Sequence, residues 1–362
     1  MDKRIILAKA GAGKTYYICN ELDPKKRNLV IAYTNQNISN LLNEIRKAHQ
    51  SFPDNTEVIT FHSFIYRNFI RPYELLVAKQ YKCPSFRSKG VSLIEPEKSR
   101  INEIYNPGYH KKDSIKHYYT KGCKEVYLSR MSYLVLNSNK IFEHGIAYMK
   151  KFFDYLYIDE VQDFRKNDWK LLEKIIISLN NVVLVGDFFQ NSVSGDNNSG
   201  APFDTNNTIE KYKVYLEKLG LIVDEETLSK SRRCAKEICA FVSMKTGIQL
   251  EAQDEKKSGI VKEITDREEL IKLLKDDSIM KILYQNAHKQ YFKAINWGNS
   301  KGDTYDTTLV VLTGSLDGLF SDGYTFDSEK TKNKLYVALT RTKGDLFIVK
   351  KDLFEEFDKK QF

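Results

Sequence analysis

Residues 4–15 read RIILAKAGAGKT: an apolar run enters a glycine-punctuated turn that ends in Lys-Thr. The turn, 8–15, fits the pattern G-x-x-x-x-G-K-[ST] with Ala8 in place of the first glycine. Gly11 and Gly13 let backbone N–H groups turn inward around phosphate oxygens, and the start of the following helix adds its dipole. Ala10, Gly11, Ala12, Gly13, Lys14 and Thr15 are therefore candidate residues for holding a nucleoside triphosphate. Lys14 would bridge its β- and γ-phosphates, and the Thr15 hydroxyl would ligate Mg²⁺. An ordinary tight strand-to-helix turn is the competing reading, and Lys-Thr at this offset behind a strand argues against it.

The second decisive stretch is YLYIDEVQD, 155–163. Here an apolar strand brings two acids to its C-terminal tip, beside the loop from the first strand. Asp159 is placed to hold Mg²⁺ and Glu160 to take a proton from an attacking water. Acidic pairs after strands are common and usually solvated, so this signal gains its weight from 8–15.

Outward from these two stretches the chain alternates strands with helices. Strands are expected at Arg4–Ala8, Leu29–Tyr33, Val58–Phe61, Tyr155–Ile158 and Val182–Val185. A second α/β segment has strands at Gly259–Ile264, Lys281–Tyr284, Leu309–Leu312 and Leu346–Val349, with helices near 234–245, 266–275 and 328–341. Such alternation implies an α/β fold with mainly parallel sheets. The pattern is lost across 64–151, where Pro72, Pro84, Pro96 and Pro107 break short basic, aromatic segments. The expected domains are thus 1–63 with 152–222, an insert at 64–151, and 223–362.

The net charge of +9 is concentrated in that insert, which carries 17 Lys/Arg against 7 Asp/Glu. The remainder carries 40 against 41, and the insert also holds ten of the 22 tyrosines. Cations neutralise phosphates and rings stack on bases, so the combination suits a nucleic-acid surface. A solvated lysine-rich face is the plain alternative. No apolar stretch approaches the roughly 18 residues that span a bilayer, so a cytoplasmic protein with no membrane partner is expected. Five scattered cysteines without a C-x-x-C pair fit reduced thiols. Cys83, His110, His117 and Cys123 follow no standard zinc spacing.

Taken together, these segments resemble a superfamily 1 helicase of the UvrD/Rep/PcrA type, nearly end to end. The loop at 8–15 is similar to motif I, AYTNQNISNLLNEIR (32–46) to motif Ia, TFHSF (60–64) to motif Ib, and DEVQD (159–163) to motif II. VGDFFQ (185–190) resembles motif III, LSKSRRC (228–234) motif IV, SKGDTYD (300–306) motif V and LYVALTRTK (335–343) motif VI. The resemblance implies two RecA-like P-loop domains with the insert in the first, and ATP with Mg²⁺ as cofactors. It implies hydrolysis coupled to 3′–5′ movement on single-stranded or forked DNA, in a prokaryotic or phage-encoded protein. Gln190 would sense the γ-phosphate, and Arg233 and Arg341 would act as arginine fingers from the second domain. Gly302 of motif V would join the nucleotide site. Thr34, Asn35, Phe61, His62 and Lys301 would contact DNA, with Trp297 as a base-stacking or core residue.

The chain also departs from the family. Tyr16 and Arg232 stand where an Arg and a Tyr normally sandwich the adenine, so the two faces of the sandwich are exchanged. The segment after Gln190, NSVSGDN, lacks the family's stacking aromatic, and Asp303 or Thr304 stands near the usual motif V glutamate. The second large insert is missing, so such a compact motor is expected to separate strands well only with a protein partner. A DNA-stimulated ATPase that remodels protein–DNA complexes, or switches a repair or anti-phage assembly, is the first alternative. A small-molecule P-loop kinase is the second, disfavoured by Arg233, Arg341 and the basic insert.

Overall fold

The computed structural model describes residues 1–83, 88–191, 200–321 and 323–358. Pro84 and most of the NSVSGDN segment, 192–197, lie outside the described residues. The chain divides into two compact units, one of residues 1–5, 15–184 and 199–223, the other of 6–14, 185–198 and 224–362.

In the first unit the sheet is built from β1 (Asp2–Leu7), β2 (Asn28–Ala32), β3 (Thr56–Thr60), β4 (Tyr155–Ile158), β5 (Asn181–Gly186) and β6 (Ile222–Asp224). Their order across the sheet is β6-β1-β5-β4-β2-β3. β2 pairs in parallel with β3 and β4, and β4 with β5. Every residue of β2 is buried, as expected of a central strand covered on both faces. β5 stands between β1 and β4, so the loop-bearing and acid-bearing strands are not neighbours in the sheet.

Helix α1 (Lys14–Glu21) follows β1, and α2 (Asn35–His49) follows β2 with Thr34 as its N-cap, accepting from the Asn37 N–H. α3 (Phe61–Ile65) leads into the insert, which holds α4 (Glu74–Gln80), α5 (Met131–Leu136) and most of α6 (Asn139–Phe152); α7 (Lys166–Ser178) lies between β4 and β5, and α8 (Ile209–Lys218) precedes β6. Of the insert's ten tyrosines, Tyr118 and Tyr119 are buried, Tyr105 and Tyr148 exposed, and the others half-buried. Two of the ten are thus taken up by packing, and the other eight keep part of their surface in solvent. The helical stretch α6 hides from the sequence pattern because Gly145 interrupts its apolar stripe. A Cβ there would lie 2.2 Å from the Phe69 ring.

In the second unit β7 (Val261–Ile264), β8 (Ile279–Leu283), β9 (Ala294–Asn296), β10 (Thr307–Val311) and β11 (Leu346–Val349) form a sheet in the order β7-β11-β10-β8-β9. All its pairs are parallel. Alternate residues face opposite sides. Ile282, Val310 and Ile348 pack with Ile238 and Val242 of α9 (Lys236–Thr246) and Leu335 and Leu339 of α11 (Glu329–Leu339). Leu283, Leu309 and Val311 pack with Leu270 and Leu274 of α10 (Arg267–Lys275) and Phe354 of α12 (Lys351–Asp358). Helices on both faces of parallel sheets are the α/β architecture that the strand–helix alternation predicts. Among the described residues no helix is long and apolar enough to cross a membrane. None of their His, Cys, Asp and Glu side chains gather into a metal cluster of three or more.

Candidate active site

The loop after β1 needs glycine twice. Gly11 has φ +71° and Gly13 φ +92°, in the left-handed region that favours glycine. A Cβ on Gly11 would also sit 2.5 Å from the Arg233 Cβ and 2.8 Å from the Ser231 Oγ. The loop is tied down by its backbone. The Lys9 N–H donates to the Leu228 carbonyl at 2.9 Å, and the Arg232 N–H donates to the Gly11 carbonyl at 2.9 Å. The Ala10 N–H donates to the Tyr336 hydroxyl at 2.8 Å. Lys14 opens α1 and is 9% exposed.

Within the first unit, the Thr15 hydroxyl donates to Asp159 Oδ2 at 3.1 Å. Thus one hydroxyl and one carboxylate, from elements that are not sheet neighbours, lie side by side. Two hard oxygen donors, with the remaining positions left to phosphate and water, fit Mg²⁺. Asp159 is 1% exposed and its Oδ1 accepts the Glu160 N–H at 2.9 Å. Glu160 itself has φ +53° and ψ +46°, and its Oε2 accepts a bond from Gln162 Nε2. A non-glycine residue in this region costs on the order of 1 kcal/mol, and such positions cluster at functional sites.

In the second unit, the expected sensor Gln190 is 2% exposed and its Nε2 donates to Asp187 Oδ2 at 2.8 Å. Asp187 also accepts the Phe189 N–H at 3.0 Å and the Tyr336 hydroxyl at 3.3 Å. Arg233 Nη1 donates to the Thr340 carbonyl at 3.0 Å. Arg341 is 1% exposed rather than a solvated helix end. Its Nε donates to the Val337 carbonyl at 2.8 Å and its Nη1 to the Ser300 carbonyl at 3.4 Å. The Tyr305 N–H donates to the Arg341 carbonyl at 2.9 Å, and the Tyr305 hydroxyl to Asp303 at 2.7 Å, which joins the 300–305 loop to the arginine. Gly302 has φ +90° and is exposed, Lys301 is half-buried, and Thr304 is exposed. Tyr16 is 49% exposed, and Arg232 is exposed with its Cδ 3.3 Å from where a Gly13 Cβ would lie.

Two of the candidate nucleic-acid contacts, Phe61 and Trp297, are buried. Phe61 is fully buried, edge-on to Phe164 at 4.8 Å and to His62 at 5.8 Å, so its ring has no face for a base. Trp297 is 2% exposed, packs in the second unit's core, and donates its indole N–H to the Ile282 carbonyl at 3.1 Å. The ring presented on that side is Tyr284, 43% exposed and edge-on to Trp297 at 5.6 Å. Lys334 Nζ stands 4.8 Å over the Tyr284 ring, which walls cavities of about 340 and 330 Å³. These cavities lie at the carboxyl ends of β8 and β10, where the chain reverses its direction across the sheet, the crevice in which open α/β sheets bind ligands. Thr34 and Asn35 are exposed, and His62 is half-buried with its Nε2 3.3 Å from Asp168. Asp168 also accepts the Tyr33 hydroxyl at 3.0 Å and a bond from Ser132 of the insert. Asp168 and Tyr284 carry no local sequence signal, and Asp187 and Tyr336 lie within the motif III and motif VI stretches without being singled out there, because their link to each other joins positions 149 residues apart.

A glycine loop on Lys-Thr with a hydroxyl–carboxylate pair defines a P-loop NTPase. The AAA domain family matches residues 2–196, more than half of the chain, and the chain belongs to that family. No curated protein matches it. Among solved structures, the helicase of PRRSV is similar at 13% identity and a TM-score of 0.46, over 96% of this chain and 52% of that one. Arterivirus nonstructural protein 10, a helicase, is similar in complex with DNA and alone, each at 11% identity and a TM-score of 0.46 over 96% of this chain, covering 60% and 59% of those chains. The chain thus spans between half and three fifths of the length of these structures.

Proposed function

We propose that the chain is an ATP-dependent helicase or translocase of superfamily 1, of the UvrD/Rep/PcrA type, that couples ATP hydrolysis to 3′–5′ movement on single-stranded DNA. The observation that carries the proposal is the Thr15 hydroxyl 3.1 Å from Asp159, directly behind a loop whose glycines have positive φ. Lys14 and the loop N–H groups bind the phosphates, Glu160 takes the proton of the attacking water, and Gln190 orients that water. Thr15 and Asp159 would hold Mg²⁺, which would supply neutralisation of phosphate charge. Arg233 and Arg341 stabilise the charge that develops on the transferred phosphoryl group. Thr34, Asn35, His62, Lys301 and Tyr284 are assigned to the DNA strand.

The direct test is the ATPase rate with single-stranded DNA, duplex DNA and RNA side by side, followed by fork unwinding in the presence of a single-strand trap. Stimulation by single strands supports a motor. No stimulation by any nucleic acid removes the proposal, and stimulation without unwinding supports a remodelling ATPase that needs a partner to separate strands.

In this proposal Tyr16 offers its exposed ring to the adenine, with Arg232 as the cationic face. Tyr16→Ala is expected to weaken binding of a non-hydrolysable ATP analogue roughly tenfold, about the worth of one aromatic stack. Calorimetric titration that finds unchanged affinity would remove the exchanged sandwich.

The insert is assigned to the DNA backbone. Lys111, Lys112, Lys121 and Lys124 are all exposed. Reversing the four to Glu is expected to weaken DNA binding and flatten the log–log salt slope by about 3 on single strands. A slope equal to that of the parent protein returns the insert to a merely solvated face.

A further inference from the structure

The Tyr336 hydroxyl is fully buried and has two partners: it accepts the Ala10 N–H at 2.8 Å and faces Asp187 Oδ2 at 3.3 Å. Burial, then the neighbouring Asp187 carboxylate, push its pKa well above the ordinary tyrosine value, so the hydroxyl stays protonated and donates to Asp187. Asp187 is 0% exposed, and the same Oδ2 accepts Gln190 Nε2 at 2.8 Å. An ionised carboxylate only accepts, so the Gln190 amide must turn its nitrogen to Asp187. Its Oε1 then becomes the atom that accepts a hydrogen bond from the attacking water, orienting it while Glu160 takes the proton.

We infer that Tyr336 and Asp187 are positioning residues that lock the phosphate loop and the Gln190 amide into one hydrogen-bonded unit. The chain Ala10–Tyr336–Asp187–Gln190 joins three segments that are far apart in sequence, and each of its four residues is at least 98% buried. A buried network of this kind holds its members in one arrangement only while every bond is made. Tyr336 thereby sets two things together: the path of the loop at Ala10 and the acceptor that meets the water. The inference rests on the ATPase reading above; the network touches the loop at Ala10, but Lys14 and Thr15 lie outside it and Gln190 ends it, so the larger effect falls on the hydrolytic step.

The test compares Tyr336→Phe, Asp187→Asn and the double variant with the parent protein, in steady-state ATP hydrolysis on saturating single-stranded DNA. Tyr336→Phe keeps the ring and removes one oxygen. Asp187→Asn keeps the shape and removes the charge that orients the amide. Each is expected to lower kcat about 10- to 100-fold, as loss of a hydrogen bond to a charged group does. KM and the affinity for a non-hydrolysable analogue should stay within a few-fold of the parent. The double variant should be no worse than the more impaired single variant, since both break one unit. If Tyr336→Phe unfolds, Asp187→Asn carries the comparison alone, with its melting curve as the control. Parental kcat in a folded variant, losses that multiply in the double variant, or a loss confined to KM each overturn the inference. A parent protein without ATPase activity would instead remove the reading on which it rests.

Discussion

Lys14→Ala is expected to abolish ATP hydrolysis while leaving the protein folded. Lys14 is the first residue of α1, directly behind Gly13 at φ +92°, and it is only 9% exposed. A fixed cation at this point acts with the loop N–H groups on phosphate oxygens whose charge redistributes during transfer. Removing one preorganised donor of this kind costs about 10²–10³ in rate. Here the lost group carries a full charge, so the loss should reach the upper end of that range or exceed it. Alanine keeps high helix propensity at the first turn, and α1's packing rests on Ile18 and Cys19, both fully buried, so stability should change little. The check is phosphate release on single-stranded DNA beside a thermal melt. DNA-stimulated hydrolysis retained by a folded Lys14→Ala protein would sink the site assignment.

What the sequence made legible was whatever is contiguous along the chain. The loop at 8–15 is one unbroken covalent stretch, so its residue types declare its geometry, and both glycines have the positive φ expected of them. Tyr155–Ile158 and Leu346–Val349 could be bounded residue for residue, because each is an apolar run closed by a polar neighbour. The edge strand Ile222–Asp224 escaped, since three residues with Ile222 at 71% exposure carry neither length nor burial pattern. The helix Asn139–Phe152 escaped because its close contact with Phe69 requires a glycine where the apolar stripe would continue. The site shows the same division. Tyr336 belongs to the run Leu335–Leu339, every residue of which is buried, and burial alone does not distinguish it from core. Its role exists only through Ala10, 326 positions away. Phe61 and Trp297 show the converse: a ring expected to contact DNA, and one readable as either base-stacking or core, are told apart from an exposed face only by their burial.

Glu160→Gln is expected to trap bound ATP, and it separates binding from chemistry where Lys14→Ala removes both. Glu160 Oε2 accepts from Gln162 Nε2, and its backbone N–H is taken by Asp159 Oδ1 at 2.9 Å. Both bonds survive in the variant, since a glutamine side chain can still offer an oxygen to Gln162 and keeps the same backbone. The left-handed backbone, φ +53°, is as tolerable for Gln as for Glu, so the fold and the Asp159–Thr15 pair should persist. What disappears is the one atom able to take a proton. General-base catalysis is worth about 10²–10⁴ in rate, so kcat should fall by that factor with ATP affinity retained. Single-turnover hydrolysis measures the first quantity, and retention of labelled ATP on a filter the second. If the variant turned over at the parental rate, Glu160 would not be the base, and its backbone conformation would need another explanation. If the variant lost ATP affinity as well, the carboxylate would be acting on the bound nucleotide or its metal rather than on the water. Retained binding with stalled hydrolysis is the outcome that assigns proton transfer to Glu160, and it would also provide an ATP-bound form in which the DNA contacts proposed for Thr34, Asn35, His62, Lys301 and Tyr284 could be tested one at a time.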